Sequence, residues 1–189
     1  MAFAVTAIIA LAGYGNARWN AGTTQLLNRL DAAQVKAGPQ FFNNKELEGL
    51  PAPVKRYFEA VLKNGQLIIT GATVQHSGTF NMGETTDSWK PFTSTQRVTT
   101  QRPGFDWDAR VMLFPGVAAR IHDAYVAGSG LLKVAIFGLI TVADLPTSSD
   151  LSRGELMRYL AEEPGTQPRY CRHKAWCGKA LMRNRRSPP

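Results

Sequence analysis

Two histidines, His76 and His122, stand in the first 164 residues, and either could act as a base if a carboxylate oriented it. Asp123 is the chain neighbour of His122, and Asp106 is a second carboxylate within the same stretch. A nucleophile would come from Ser77, Ser129 or another hydroxyl, but no G-x-S-x-G turn surrounds them, and Gly128-Ser129-Gly130 lacks the flanking spacing. A strand histidine is more often a hydrogen-bonded structural residue. The sequence therefore favours a non-catalytic protein, with His76, His122 and Asp123 as the candidates if catalysis occurs. Asp106 and Asp108 flank Trp107, so strand alternation places both carboxylates on one face. That spacing could form an acid pair or half a cation site. The expectation here is a solvated outer face, neutralised by Arg110, with Phe105, Trp107 and Ala109 turned inward.

Trp89, Phe92, Phe105, Trp107 and Tyr125 are the aromatic residues that a sheet could gather into a core or around an apolar ligand cavity. Gly128, Gly130 and Gly138 suit turns or bulges, since no phosphate-loop Lys-Ser/Thr follows them. Cys171, His173 and Cys177 supply three of the four ligands zinc usually takes, with no second cluster, so neither a metal nor a cofactor is expected. The net charge of +8 resembles a nucleic-acid signal, yet seven of the 22 basic residues and none of the 14 acidic ones fall in 165–189. The body is nearly neutral and holds no cysteine, and no specific nucleic-acid partner is expected.

These residues need elements to hold them. Residues 1–17 carry no charge and precede Arg18-Trp19, the pairing found at membrane boundaries, so this segment reads as a hydrophobic anchor. Residues 22–36 read as a helix capped by Thr23 or Thr24, and Asn43-Asn44 with Gly49 as a loop. Val54, Tyr57, Phe58, Val61 and Leu62 mark one face of a helix over 52–63, entered by Pro51 and Pro53 and left at Gly65. Segments 67–81, 89–101, 104–113, 117–127 and 130–143 read as consecutive antiparallel strands, the last almost wholly apolar. A final helix starts near Ser152 in the S-x-x-E form, with Leu156, Tyr159 and Leu160 inward, and ends at Pro164.

Six segments, LPAPVKRYF (50–58), QHSGTF (75–80), WKPFTSTQ (89–96), FDWDAR (105–110), HDAYVAGSGLL (122–132) and GELMRYLAEEP (154–164), resemble in order and spacing a bacterial family known only as a domain of unknown function. The resemblance spans roughly residues 18–164. It implies hydrophobic anchor segments at the start and further strands after the last helix, and it carries over no catalytic residue. It also implies a Trp-Tyr-Pro-Thr-like continuation where this chain has GTQPRYCRHKAWCGK. A base string that encodes residues 165–179, read one base earlier, can give WYPTAVLPSQGVVWE.

The expected fold is α+β: N-terminal helices, a curved and incomplete antiparallel sheet of about five strands, one helix and an unstructured tail. The expected organisation is an anchor-like segment at 1–20, an α+β domain at 21–164 and a basic tail at 165–189. The function expected is that of a non-catalytic protein of the bacterial cell envelope, membrane-associated through its N-terminal segment and binding an apolar ligand or lipid. The alternatives are a hydrolase-like enzyme using His76 or His122 with a carboxylate, and a product truncated by a one-base frameshift at Pro164 with no independent role. Sequencing the gene across codons 160–189 tests the frameshift, which fails if the bases under 165–179 cannot encode the alternative frame.

Overall fold

The computed structural model describes residues 2–35, 38–83 and 85–162. They fall into two compact units, one made of the described residues of 2–34 and 71–156, the other of those of 35–70 and 157–162. The expected tail and Pro164 lie outside the described residues.

In the first unit, helix α1 (Ala2–Ala32) runs unbroken through both the expected anchor and the expected second helix. Thr23 and Thr24 do not cap it. They sit mid-helix, where the Thr24 hydroxyl donates back to the Asn20 carbonyl at 2.9 Å and the Thr23 hydroxyl lies 3.3 Å from the Trp19 carbonyl. Gly15, Trp19, Leu26 and Leu30 are buried along it, spaced four, seven and four apart, which is one helical face. No helix among the described residues is long and apolar enough to cross a membrane. The uncharged start is diluted by Thr6, Gly13, Gly15 and Asn16 and then continues into polar helix.

Strands β1 (Gly71–Asn81), β2 (Trp89–Thr99), β3 (Gly104–Phe114), β4 (Val117–Val126), β5 (Ser129–Ile136) and β6 (Ile140–Leu145) form one open sheet in sequence order, every neighbouring pair antiparallel. The class is α+β as expected, with six strands in place of about five. The run 130–143 divides because Phe137 (φ 56°) and Gly138 (φ 71°) enter the left-handed region, and Leu139 N–H closes the turn on the Ile136 carbonyl at 3.0 Å. Apolar residues on both sides hid that turn. Ala127 (φ 54°) and Gly128 (φ 90°) make the same kind of tight turn between β4 and β5.

Alternation gives the sheet two faces. One lies under α1, where Leu30 packs with Ala124 and Val126 against Leu131. The helix backbone comes so close to the β5–β6 turn that a Cβ on Gly138 would lie 2.6 Å from the Gly15 carbonyl oxygen. The opposite face buries Phe105, Trp107, Ala109 and Val111, and Trp107 meets Phe80 and Phe92 at ring-centroid distances of 6.2 Å each.

Helix α3 (Ser149–Glu162) begins earlier than expected, because Ser148 supplies the cap: its hydroxyl oxygen accepts from Leu151 N–H at 3.1 Å. Ser152 instead accepts from Gly130 N–H at 2.9 Å, tying the start of α3 to β5.

The second unit packs Phe42, Leu47, Val54, Phe58 and Ile68 into its own cluster. Helix α2 (Ala52–Val61) follows Pro51, as its sequence predicts, with Val54 and Phe58 buried. The expected loop at Asn43-Asn44 is a 3-10 helix, Asn44–Leu47, because Asn43 and Glu46 form a reciprocal capping box. Leu67 bridges Phe41, so the first strand begins at Gly71 and not at 67.

A Cβ on Gly130 would lie 2.9 Å from the Leu151 carbonyl carbon and oxygen and the Ser152 Cα, all backbone that must move. Gly130→Ala is therefore expected to cost about 1–3 kcal/mol. Gly78→Ala, whose Cβ would meet only a Phe92 ring carbon at 3.4 Å, should cost less. Urea unfolding midpoints of the two variants check the order.

Candidate functional site

The chemistry-bearing residues converge where α1 crosses β3 and β4. Asp108 and His122 are register partners on these strands, and Asp106 shares their face. His122 Nδ1 lies 3.0 Å from Asp106 Oδ1, and its Nε2 lies 3.2 Å from the Thr23 hydroxyl. That hydroxyl donates to Asp108 Oδ2 at 2.9 Å, and the Trp19 indole N–H donates to Asp108 Oδ1 at 3.0 Å. The Trp19 ring stacks on the His122 imidazole, centroids 4.4 Å apart and planes 9° from parallel. Carboxylate, imidazole, hydroxyl and carboxylate thus form one chain beneath an indole lid.

The chain is deeply buried, with Asp106 at 2% and His122 at 3% exposure. Burial raises the Asp106 carboxyl above its ordinary value of 3.8. The hydrogen bond and charge of His122 oppose the rise, while Asp108 and Asp123 add to it. Thr23 has a single proton. When it donates that proton to Asp108, the contact with His122 is made by Nε2–H donating to the hydroxyl oxygen. Nδ1 then accepts from a protonated Asp106 carboxyl, or, if the ring carries a second proton, donates to an ionised one.

Of the residues that sequence reasoning singled out, the structure brings His122 and Asp106 together. Asp123 points to the opposite face, as alternation requires for the neighbour of His122. His76 also lies on that opposite face, where its Nδ1 is 3.2 Å from the Ser94 hydroxyl. Ser77 and Ser129 do not join the chain around His122. The expected solvated face of Asp106 and Asp108 is instead covered by α1, because the helix presents Trp19 and Thr23 to those carboxylates. Sequence reasoning missed both residues. The signal was present, since Trp19 and Thr23 are one turn apart and continue the stripe of Leu26 and Leu30, but Trp19 read as a membrane-boundary residue.

Trp89 is exposed, Phe92 half-buried, and Phe105, Trp107 and Tyr125 are buried. The largest described space is a groove of about 630 Å³ on the α1-bearing face, where β1 and β2 extend beyond the helix. Its lining is polar: Gln75, Ser77, Thr93, Thr95, Asp108, Arg110 and Arg120 contribute, with no aromatic residue. A second space of about 300 Å³ adjoins α1 and is also lined by Arg110 and Arg120. A small one of about 70 Å³ touches His122 and Trp19. Arg120 donates to Asn16 Oδ1 at 3.0 Å and lies 3.8 Å from Asp108, the position expected of Arg110. No three histidine, cysteine or acidic residues among the described ones are grouped to hold a metal ion. Cys171, His173 and Cys177 fall outside the described residues.

Fold and site together define an open antiparallel sheet with a helix fastened across one face by a buried polar chain. The chain belongs to a family of unknown function, DUF6920, which matches residues 48–170. All six segments that suggested such a family lie within that range, whereas Trp19 and Thr23 lie before it. Neither a curated protein nor a solved structure matches the chain.

Asp106 holds its proton more tightly in the folded chain than at its ordinary value. Its contribution to stability is therefore fully present below about pH 3.8 and is lost as pH rises through the folded-state value. In urea unfolding from pH 4 to 7, the stability of wild type minus that of Asp106→Asn should fall as pH rises. A difference that stays flat or grows would contradict the assignment.

Proposed function

We propose that this protein is a non-catalytic binding module, associated with a membrane surface of the bacterial envelope, that takes a small polar ligand in the groove beside α1. The observation that carries the reading is the groove itself. Its 630 Å³ is of ligand size, and its walls are hydroxyls, an amide and charged groups fixed on rigid strands. This lining favours a polar ligand over the apolar one that the aromatic set suggested. Association with a membrane surface is supported by Ile9, Leu11 and Tyr14, which are 66%, 58% and 64% exposed on the early turns of α1. Exposed apolar side chains in an uncharged run suit contact with a lipid interface.

A second reading has one observation in its favour. Thr23, His122 and Asp106 stand in the order hydroxyl, imidazole, carboxylate, at 3.2 and 3.0 Å. A hydrolase would use them as nucleophile, base and orienting acid. Against it, the hydroxyl already donates to Asp108, and Trp19 covers the imidazole. Activated-ester hydrolysis that His122→Ala abolishes would favour the enzyme.

Thr95→Trp would fill the groove from β2; because Thr95 is the register partner of Asp108, an unchanged urea midpoint is read alongside to show that α1 stays fastened. Native mass spectrometry of the full chain should find a co-purifying small molecule in wild type and not in this variant. Co-sedimentation with anionic vesicles should fall in the double variant Ile9→Glu, Leu11→Glu. A ligand retained by Thr95→Trp would place binding elsewhere.

A further inference from the structure

We infer that Arg110 and Arg120 form an oxyanion site at the mouth of the groove, taking the phosphate or carboxylate of the bound ligand; the inference rests on the groove being the binding site. Arg110 and Arg120 are direct cross-strand partners on β3 and β4. Like charges in that position repel and destabilise a sheet. Nothing nearby relieves them fully. Arg110 is exposed and has no hydrogen-bond or ion-pair partner among the described residues. Arg120 donates to Asn16 at 3.0 Å and to Asn20 at 3.5 Å and lies over the Trp19 ring, but its Nε is buried without a hydrogen-bond partner. Its approach to Asp108, at 3.8 Å, is long.

Asp108 cannot serve both guanidinium groups. Its two oxygens already accept from Trp19 and Thr23, which hold it toward α1. The pair thus keeps an excess of positive charge where the two larger spaces meet, since both are lined by Arg110 and Arg120. An oxyanion between two planar guanidinium groups receives charge-assisted, bidentate hydrogen bonds and removes the repulsion. The hydroxyls of Thr93 and Thr95 and the Gln75 amide line the same groove and can bind the neutral remainder of such a ligand.

The test uses the full chain with inorganic phosphate as probe, against chloride at matched ionic strength. Phosphate should raise Tm with saturation and shift the Arg110 and Arg120 side-chain NMR signals. Arg110→Ala should weaken the response about tenfold or more, while its phosphate-free Tm stays equal to or above that of wild type because a repulsion is gone. A response to phosphatidylglycerol vesicles but not to free phosphate, lost in Arg110→Ala and absent with phosphatidylcholine, assigns the anion to a lipid headgroup and equally supports the site. An unchanged response in Arg110→Ala, or none to either probe, overturns it. If the inference fails while Thr95→Trp still loses a co-purifying molecule, the groove binds a neutral ligand and only the arginine assignment falls.

Discussion

Everything on the α1-bearing face depends on the buried sequence of contacts from Asp106 through His122 and Thr23 to Asp108. A carboxyl and an imidazole at 2% and 3% exposure are tolerable only if their polar atoms find partners, because burial without them costs several kcal/mol. The strands supply Asp106, Asp108 and His122, and they leave His122 Nε2 and both oxygens of Asp108 in need of a partner from above. Helix α1 provides it with Thr23 and Trp19, one turn apart. That requirement fixes the helix in rotation and in translation. With Trp19 on His122, Leu26 and Leu30 fall on the apolar end of the same face, and Gly15 falls on the β5–β6 turn, where no larger residue fits.

A helix fixed in this way divides one sheet face into two regions. Under α1 the polar atoms are paired with one another. Beside α1, on β1 and β2, threonines, serines and glutamine face an open groove. Arg120 stands at the border and is drawn toward the helix by Asn16 and Asp108, which leaves Arg110 on the groove side. The division therefore creates charge asymmetry as well as space. A carboxylate that would ordinarily neutralise the arginine pair is committed to holding the helix.

The fold was largely legible in the sequence, and the site was half legible. Alternation located β1 to β4, and the five-residue apolar face located α2, because both patterns report burial on one side only. The pattern failed at 130–143, where β5, its turn and β6 are all apolar and the reversal is marked only by Gly138. On β3 it failed for the opposite reason. Asp106 and Asp108 read as solvent-facing because acidic residues are seldom buried, and what buries them is a helix more than 70 residues earlier in the chain. Strand alternation could show that Asp123 and His122 oppose one another and that Asp106 and His122 share a face. It could not show that Trp19 and Thr23 would arrive above them, since long-range pairing leaves no local period.

The same network bears on what the site can do. In a hydroxyl–imidazole–carboxylate nucleophile the hydroxyl proton must point to the imidazole, which must be free to receive it. Here the 2.9 Å contact with Asp108 draws the only proton of Thr23 the other way, so the 3.2 Å contact with the ring is made by Nε2–H donating to that oxygen. Reversing the chain would deprive Asp108 of the Thr23 bond and leave it with Trp19 and a distant Arg120, in a place where an underpaired carboxylate is costly. The residues most suggestive of catalysis are thus the ones most firmly committed to fastening α1. On this face, among the described residues, Arg110 is left with unused bonding capacity beside the groove.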